Sequence, residues 1–152
     1  MTYRIREMGQ EDISVCAQIL CSVYNNDLWQ CRWSLERAAQ YLLDITKMPG
    51  FVGFVLETDG RILGGIFARE KVWWNNSEIS VEELFVLPEQ QGRGLGSALL
   101  DKIVEVVAEK GLAGLTLTTK RYAPAAGFYR KHGFVDGDHV LFMYREHEEG
   151  MP

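Results

Sequence analysis

The stretch Ile79-Ser-Val-Glu-Glu-Leu-Phe-Val-Leu-Pro-Glu-Gln-Gln-Gly-Arg-Gly-Leu-Gly-Ser-Ala-Leu-Leu100 carries the reading, because an apolar run breaks at a glycine-rich turn and resumes at helical spacing. Ile79 to Leu87 reads as a strand. From Gly94 onward Leu95, Leu99, Ile103, Val106 and Val107 form an amphipathic stripe, with Lys102, Glu105 and Glu109 outside it. The turn Gln91-Gly-Arg-Gly-Leu-Gly96 between them places small residues at a helix N-terminus, where unpaired amides and the helix dipole hold phosphate. A P-loop needs Gly, four residues and then Gly-Lys-Ser/Thr, and the chain has no such string. A dinucleotide fingerprint beginning at Gly92 puts Ser97 where its third glycine belongs, and Lys120 and Arg121 follow the next strand where an acid belongs. A plain strand-to-helix turn with spare glycines is the remaining alternative.

Upstream, Tyr3 to Met8 alternates as a strand, and Gln10 to Tyr24 sets Ile13, Ala17, Leu20 and Tyr24 at helical intervals. Ser34 suits the N-cap of a second helix carrying Leu35, Ala38, Ala39, Leu42 and Ile45, closed near Pro49-Gly50. Phe51 to Glu57 and Arg61 to Trp74 read as strands joined by the hairpin signal Asp59-Gly60. Downstream, Leu115 to Thr119 reads as a fifth strand. A helix beginning near Pro124 buries Ala125, Phe128, Tyr129 and His132 and stops at Gly133, and His139 to Arg145 is a last strand. The order β-α-α-β-β-β-α-β-α-β predicts an α/β fold, one mixed sheet with helices on its faces.

At 152 residues, 47% hydrophobic and 24% charged, the chain fits one domain spanning 1–152, large enough to hold a core without disulfides or structural metal. Cys16, Cys21 and Cys31 are odd in number and lack CxxC spacing, which argues for reduced thiols in a cytoplasmic protein and against a zinc site. A net charge of −5 gives no general attraction for nucleic acid or an anionic membrane, and suits a cationic small substrate. The N-terminus lacks the apolar core of a secretory signal, and no apolar run approaches the ~20 residues of a spanning helix.

Gln91, Gly94 and Gly96 match the fixed positions of (Gln/Arg)-x-x-Gly-x-(Gly/Ala), so this segment resembles the acyl-CoA signature of the GNAT family of N-acetyltransferases. Ala125-Ala-Gly-Phe-Tyr-Arg-Lys-His-Gly-Phe134 is similar to the family's second signature, a tyrosine helix ending at Gly-Phe. The resemblance spans the chain, because the element order is the family's own. It implies a GNAT-like fold, a central, mostly antiparallel sheet splayed between strands four and five with helices on both faces. It also implies acetyl-CoA as cosubstrate, with its pyrophosphate on the amides of Gln91, Gly92, Arg93, Gly94, Leu95, Gly96 and Ser97. Its pantetheine arm would pair with the backbone of Leu84, Phe85 and Val86. The family often has Asn where this chain has Tyr122, and Lys120 and Arg121 stand nearby to meet the 3′-phosphate.

Acetyl transfer to an amine needs a neutral nucleophile, a polarised thioester carbonyl and a proton for the departing thiolate. Glu83 is expected in one row with Val81 and Phe85, partly desolvated and placed to take the amine proton, with Glu82 facing the other side of the sheet in reserve. Solvated strand-end carboxylates are the alternative for both. Tyr129 resembles the family's thiolate-protonating tyrosine, against a core aromatic as the alternative, and the N–H near Val86 is by resemblance the oxyanion donor. Tyr24, Asp27, Trp29, Trp33, Glu36, Trp73 and Trp74, with Glu82, lie in segments that shape the acceptor pocket in this family; aromatics among acids suit an amine or aminosugar.

The expected function is acetyl transfer to a primary amine of a small molecule, an aminoglycoside-like aminosugar or a polyamine. Two rivals stand: a protein N-terminal or lysine acetyltransferase, and an idle acyl-CoA-binding sensor, which would need the glycine turn but neither Glu83 nor Tyr129. A homodimer is compatible with all three.

Overall fold

In the computed structural model, which describes residues 2–147, the element order is β1 (Arg4–Glu7), α1 (Ile13–Tyr24), α2 (Leu35–Thr46), β2 (Phe51–Thr58), β3 (Arg61–Lys71), β4 (Glu78–Val86), α3 (Leu95–Lys110), β5 (Leu115–Thr116) and α4 (Pro124–Lys131). Contacts divide the chain into two compact units between Thr119 and Lys120. The first unit holds the sheet, in the order β1-β2-β3-β4-β5, antiparallel except for the parallel β4–β5 pair. Asp59 and Gly60 both adopt positive φ, 50° and 79°, so the β2–β3 hairpin forms as its sequence requires.

Both faces of the sheet are covered because its strands alternate two apolar sets. Val55, Phe67 and Phe85 pack with Ile13, Cys16 and Leu20 of α1 and with Ala38, Leu42 and Ile45 of α2. α3 covers the opposite face with buried Leu95, Leu99, Leu100 and Ile103, and Lys102 lies over the Phe54 ring, its ammonium 5.4 Å from the centroid. Each buried aliphatic side chain contributes about 1.5–3 kcal/mol, so these two layers hold the strands. Ser34 caps α2 through a 3.1 Å bond from the Arg37 amide, as its sequence position predicts. α1 is fixed at its start by Asp12, buried and held by a forked Arg6 guanidinium at 2.8 and 2.9 Å, with the Gly9 amide at 2.8 Å. The Arg6 hydrogen bonds keep that carboxyl below its usual range.

Four sequence expectations change. A strand needs a ladder partner as well as alternation, and β5 pairs with β4 only through Ile79↔Leu115 and Ser80↔Thr116, so it ends at Thr116 rather than Thr119. β4 is therefore unpaired on that side beyond Ser80, which is the splay. For the same reason His139 to Arg145 forms no strand, and Val140, Leu141, Phe142, Met143 and Tyr144 are exposed. β3 stops at Lys71, leaving Val72, Trp73 and Trp74 exposed. In α4 the buried residue is Ala126, whereas Ala125, Phe128 and Tyr129 are half-buried and His132 is exposed.

Candidate active site

The centre of the site is a β-bulge. Phe67 of β3 pairs with Glu83, but its neighbour Ala68 pairs with Val81, so Glu82 is an extra residue in β4. Successive residues of β3 face opposite sides, and their partners must too. Glu83 therefore shares the α1/α2 face with Phe67 and Phe85, while Val81 faces away from it, which corrects the expectation of one row. Glu82 is also corrected. Its Oε1 accepts from Arg69 Nε at 3.0 Å and Ser80 Oγ at 3.3 Å, two residues paired on the α1/α2 side, so both acids lie on one face. Arg69 neutralises Glu82, and among the described residues Glu83 forms no ion pair.

Glu83 is half-buried and carries one tyrosine hydroxyl on each carboxylate oxygen. Tyr41 of α2 donates to Oε1 at 2.8 Å, and Tyr24, the last residue of α1, donates to Oε2 at 3.1 Å. Burial raises the Glu83 carboxyl to about 7, against the opposing pull of the two hydroxyls, with the Glu82 charge adding to the rise. Burial and then the Glu83 charge push the Tyr41 hydroxyl far up, so it stays a donor. Each tyrosine is backed by an expected tryptophan: Trp29 meets Tyr24 edge-on at 5.0 Å, and Trp33 stacks on Tyr41 at 5.1 Å. Asn25 clips the intervening loop, accepting from the Trp33 amide at 2.7 Å and donating to its carbonyl at 2.8 Å. An open depression of about 750 Å³ lies over this loop, lined by Asn25, Asp27, Gln30, Arg32 and Trp33.

The far end of β4 offers backbone instead of side chains. Leu87 N–H turns inward to Leu63 O at 2.8 Å, and by alternation Phe85 does the same. Leu84 and Val86 thus direct N–H and C=O to the side that β5 leaves open, and Gln91 Nε2 already donates to Val86 O at 3.1 Å. Beyond the strand, Gly92 and Gly94 adopt φ of 80° and 81°, and a Cβ at either position would meet nothing within 4 Å. Among the described residues no main-chain carbonyl takes the amides of Gly94, Leu95 or Gly96. An open turn with free helix N-terminal amides fits a pyrophosphate, and the open edge beside it fits an amide-bearing arm.

The acetyltransferase (GNAT) domain family matches residues 49–136, more than half of the chain, a stretch from β2 to α4 that holds Glu83 and the glycine turn but not α1 or α2. The chain belongs to the GNAT acetyltransferase family. An uncharacterized N-acetyltransferase of Methanocaldococcus jannaschii, MJ1207, is 26% identical over 155 residues, covering 91% of this GNAT chain but 63% of its own length. Streptothricin acetyltransferase A of Bacillus subtilis is 32% identical over 130 residues, covering 80% of this chain and 73% of its own. The chain thus spans less than two thirds of the first of these relatives. The solved structure of AAC(6′)-Iy with the bisubstrate analogue CoA-S-monomethyl-acetylneamine shares the fold, at a TM-score of 0.71 and 18% identity over 96% of this chain and 99% of that one.

Among the described residues of the first unit, the remaining expected side chains make no hydrogen bond or ion pair to Glu83. Asp27 and Glu36 are exposed, Trp73 lies against the Lys71 ammonium at 5.1 Å, and Trp74 is exposed. In the second unit Tyr129 is half-buried, edge-on to Phe128 at 5.2 Å and Phe134 at 5.4 Å, on a helix that Gly133 closes with φ of 89°. Lys120 and Tyr122 are exposed. Sequence reasoning missed Tyr41 and Arg69. Tyr41 falls on the apolar stripe of α2 between Ala38 and Leu42, where its hydroxyl was the one available signal.

Proposed function

We propose that this GNAT chain is an acetyl-CoA-dependent N-acetyltransferase acting on a primary amine of a small molecule, with an aminosugar or polyamine as acceptor. The observation that carries the proposal is Glu83, a carboxylate of pKa about 7 on the face of α1 and α2, flanked by two tyrosine–tryptophan pairs. A sensor that only binds coenzyme has no use for it. The likeness to streptothricin acetyltransferase A and to a fold relative holding acetylneamine linked to CoA supports an acceptor of this kind.

Acetyl-CoA supplies the activated thioester acyl group. The amides of Gly94, Leu95 and Gly96 hold its pyrophosphate, the open edge at Leu84 and Val86 aligns its arm, and Arg93, exposed on the turn, adds charge. Val86 N–H polarises the carbonyl oxygen. Glu83 accepts a proton from the acceptor ammonium, so that the amine attacks as a neutral base, and the aromatic walls favour a cation as it arrives. Tyr129, by the family resemblance, gives its phenolic proton to the departing sulfur. The three free cysteines fit a reducing, cytoplasmic setting, and no helix among the described residues is long and apolar enough to cross a membrane.

A panel of polyamines, aminosugars, lysine peptides and N-terminal peptides with acetyl-CoA and a thiol reagent tests the proposal. Thiol release with small amines is the expected result. Coenzyme binding without release for any acceptor would make the chain a sensor, and release with peptides alone would move the acceptor class to proteins.

A further inference from the structure

The two hydroxyls on Glu83 come from different helices and meet different oxygens. Tyr41 reaches Oε1 from the middle of α2 at 2.8 Å, and Tyr24 reaches Oε2 from the end of α1 at 3.1 Å. A carboxylate that accepts on both oxygens cannot rotate without breaking a bond, and a hydroxyl that donates favours the charged form over the neutral one. Among the described residues the charged groups next to Glu83 on this face are Glu82 of the same strand, which opposes ionisation, and Arg69 of β3, which is committed to Glu82 at 3.0 Å; Arg6 of β1 is committed to Asp12 and Glu57. α3 lies on the opposite face of the sheet. The tyrosines are thus the groups that offset burial at Glu83.

We infer that Tyr41 and Tyr24 are positioning residues, one on each carboxylate oxygen, that keep Glu83 aimed and ionised and thereby set the acid limit of the reaction. This rests on the reading of Glu83 as the base. The tryptophans extend the device: Trp33 stacked on Tyr41 and Trp29 against Tyr24 restrain each phenol, and Asn25 restrains the loop that carries both tryptophans. Tyr41, at the shorter distance, has the larger effect. A purely structural role, tying two helices to the sheet, would change stability and leave the titration of Glu83 where it is.

The decisive experiment titrates the side-chain carboxyls by carbon NMR in the full chain, with Glu83→Gln assigning the Glu83 signal. In Tyr41→Phe the midpoint should rise from near 7 by about one pH unit, and in Tyr24→Phe by less. The acid limb of kcat/KM should move with it. At a pH one unit below the wild-type limb Tyr41→Phe should be about tenfold slower, and the two proteins should converge by about pH 9. An unchanged or lowered Glu83 midpoint in folded Tyr41→Phe would overturn the inference. If that variant does not fold, an unchanged midpoint in Tyr24→Phe overturns it equally. A wild-type protein that acetylates no amine would defeat the functional reading, while the carboxyl titration would still decide this one.

Discussion

Two parts of β4 present different chemistry. At Glu83 the strand offers a side chain, held by hydroxyls from α1 and α2, whereas at Leu84, Val86 and the turn beyond it offers main-chain groups on the side that β5 leaves unpaired. A side-chain site is changed by isosteric substitution and leaves a signature in pH. A backbone site is indifferent to most side chains and fails when the required φ is lost. The single extra residue at Glu82 separates the two regimes, because it turns the acids toward the helices and leaves the even-numbered residues after it facing the open edge.

The largest test of this contrast is Glu83→Gln, which preserves shape and removes basicity. kcat/KM should fall about 10³-fold at neutral pH and recover in part at alkaline pH, where the amine arrives neutral. A loss that is equal at every pH would remove Glu83 from the proton path. Tyr129→Phe should lower kcat about 10²-fold with coenzyme affinity unchanged by calorimetry, and wild-type turnover would return Tyr129 to packing.

On the backbone side, Gly94→Val forces a β-branched residue to φ of 81° at the N-cap of α3. Coenzyme should bind about tenfold more weakly, with a stability cost of about 1–3 kcal/mol from the strained conformation, read by calorimetry and thermal melting. Unchanged affinity in the folded variant would show that the turn does not hold the ligand.

Stability against pH sharpens the other side. Glu83 binds its proton more tightly in the folded protein, at about 7, than in the unfolded chain, near 4.5. The native state therefore loses stability as pH rises from about 4.5 to about 7, and Glu83→Gln should escape that loss. By pH 8 the variant should exceed wild type by up to about 3 kcal/mol in urea melts, with little difference at pH 4. Equal pH dependence would mean that Glu83 is well solvated. The smallest effect is expected at Glu82, already neutralised by Arg69: Glu82→Gln should change kcat/KM less than about threefold.

Legibility followed the range of the forces involved. The hairpin at Asp59-Gly60, the cap at Ser34 and the turn at Gly92 and Gly94 depend on local backbone preferences, and each stands where its residues placed it. Glu83 was recognisable as a candidate, but the reason offered for it, a shared row with Val81, was undone by the bulge. Perfect alternation has no means of announcing an inserted residue, because the extra position is defined only by the partner strand. His139 to Arg145 failed for the same reason, since alternation without a partner makes no ladder.

Sequence alone determined the glycine turn, the order of elements from β1 to α4 and the family likeness, because φ preferences, apolar periodicity and fixed motif spacing are properties of contiguous residues. Only the tertiary structure decided that Tyr24 and Tyr41, 59 and 42 residues from Glu83 along the chain, share one carboxylate. Only it decided that Arg69 claims Glu82 and leaves Glu83 to the tyrosines. Those choices depend on which strand pairs where and which helix face meets it, and burial and charge at a carboxyl are set by whatever those contacts bring within a few ångströms.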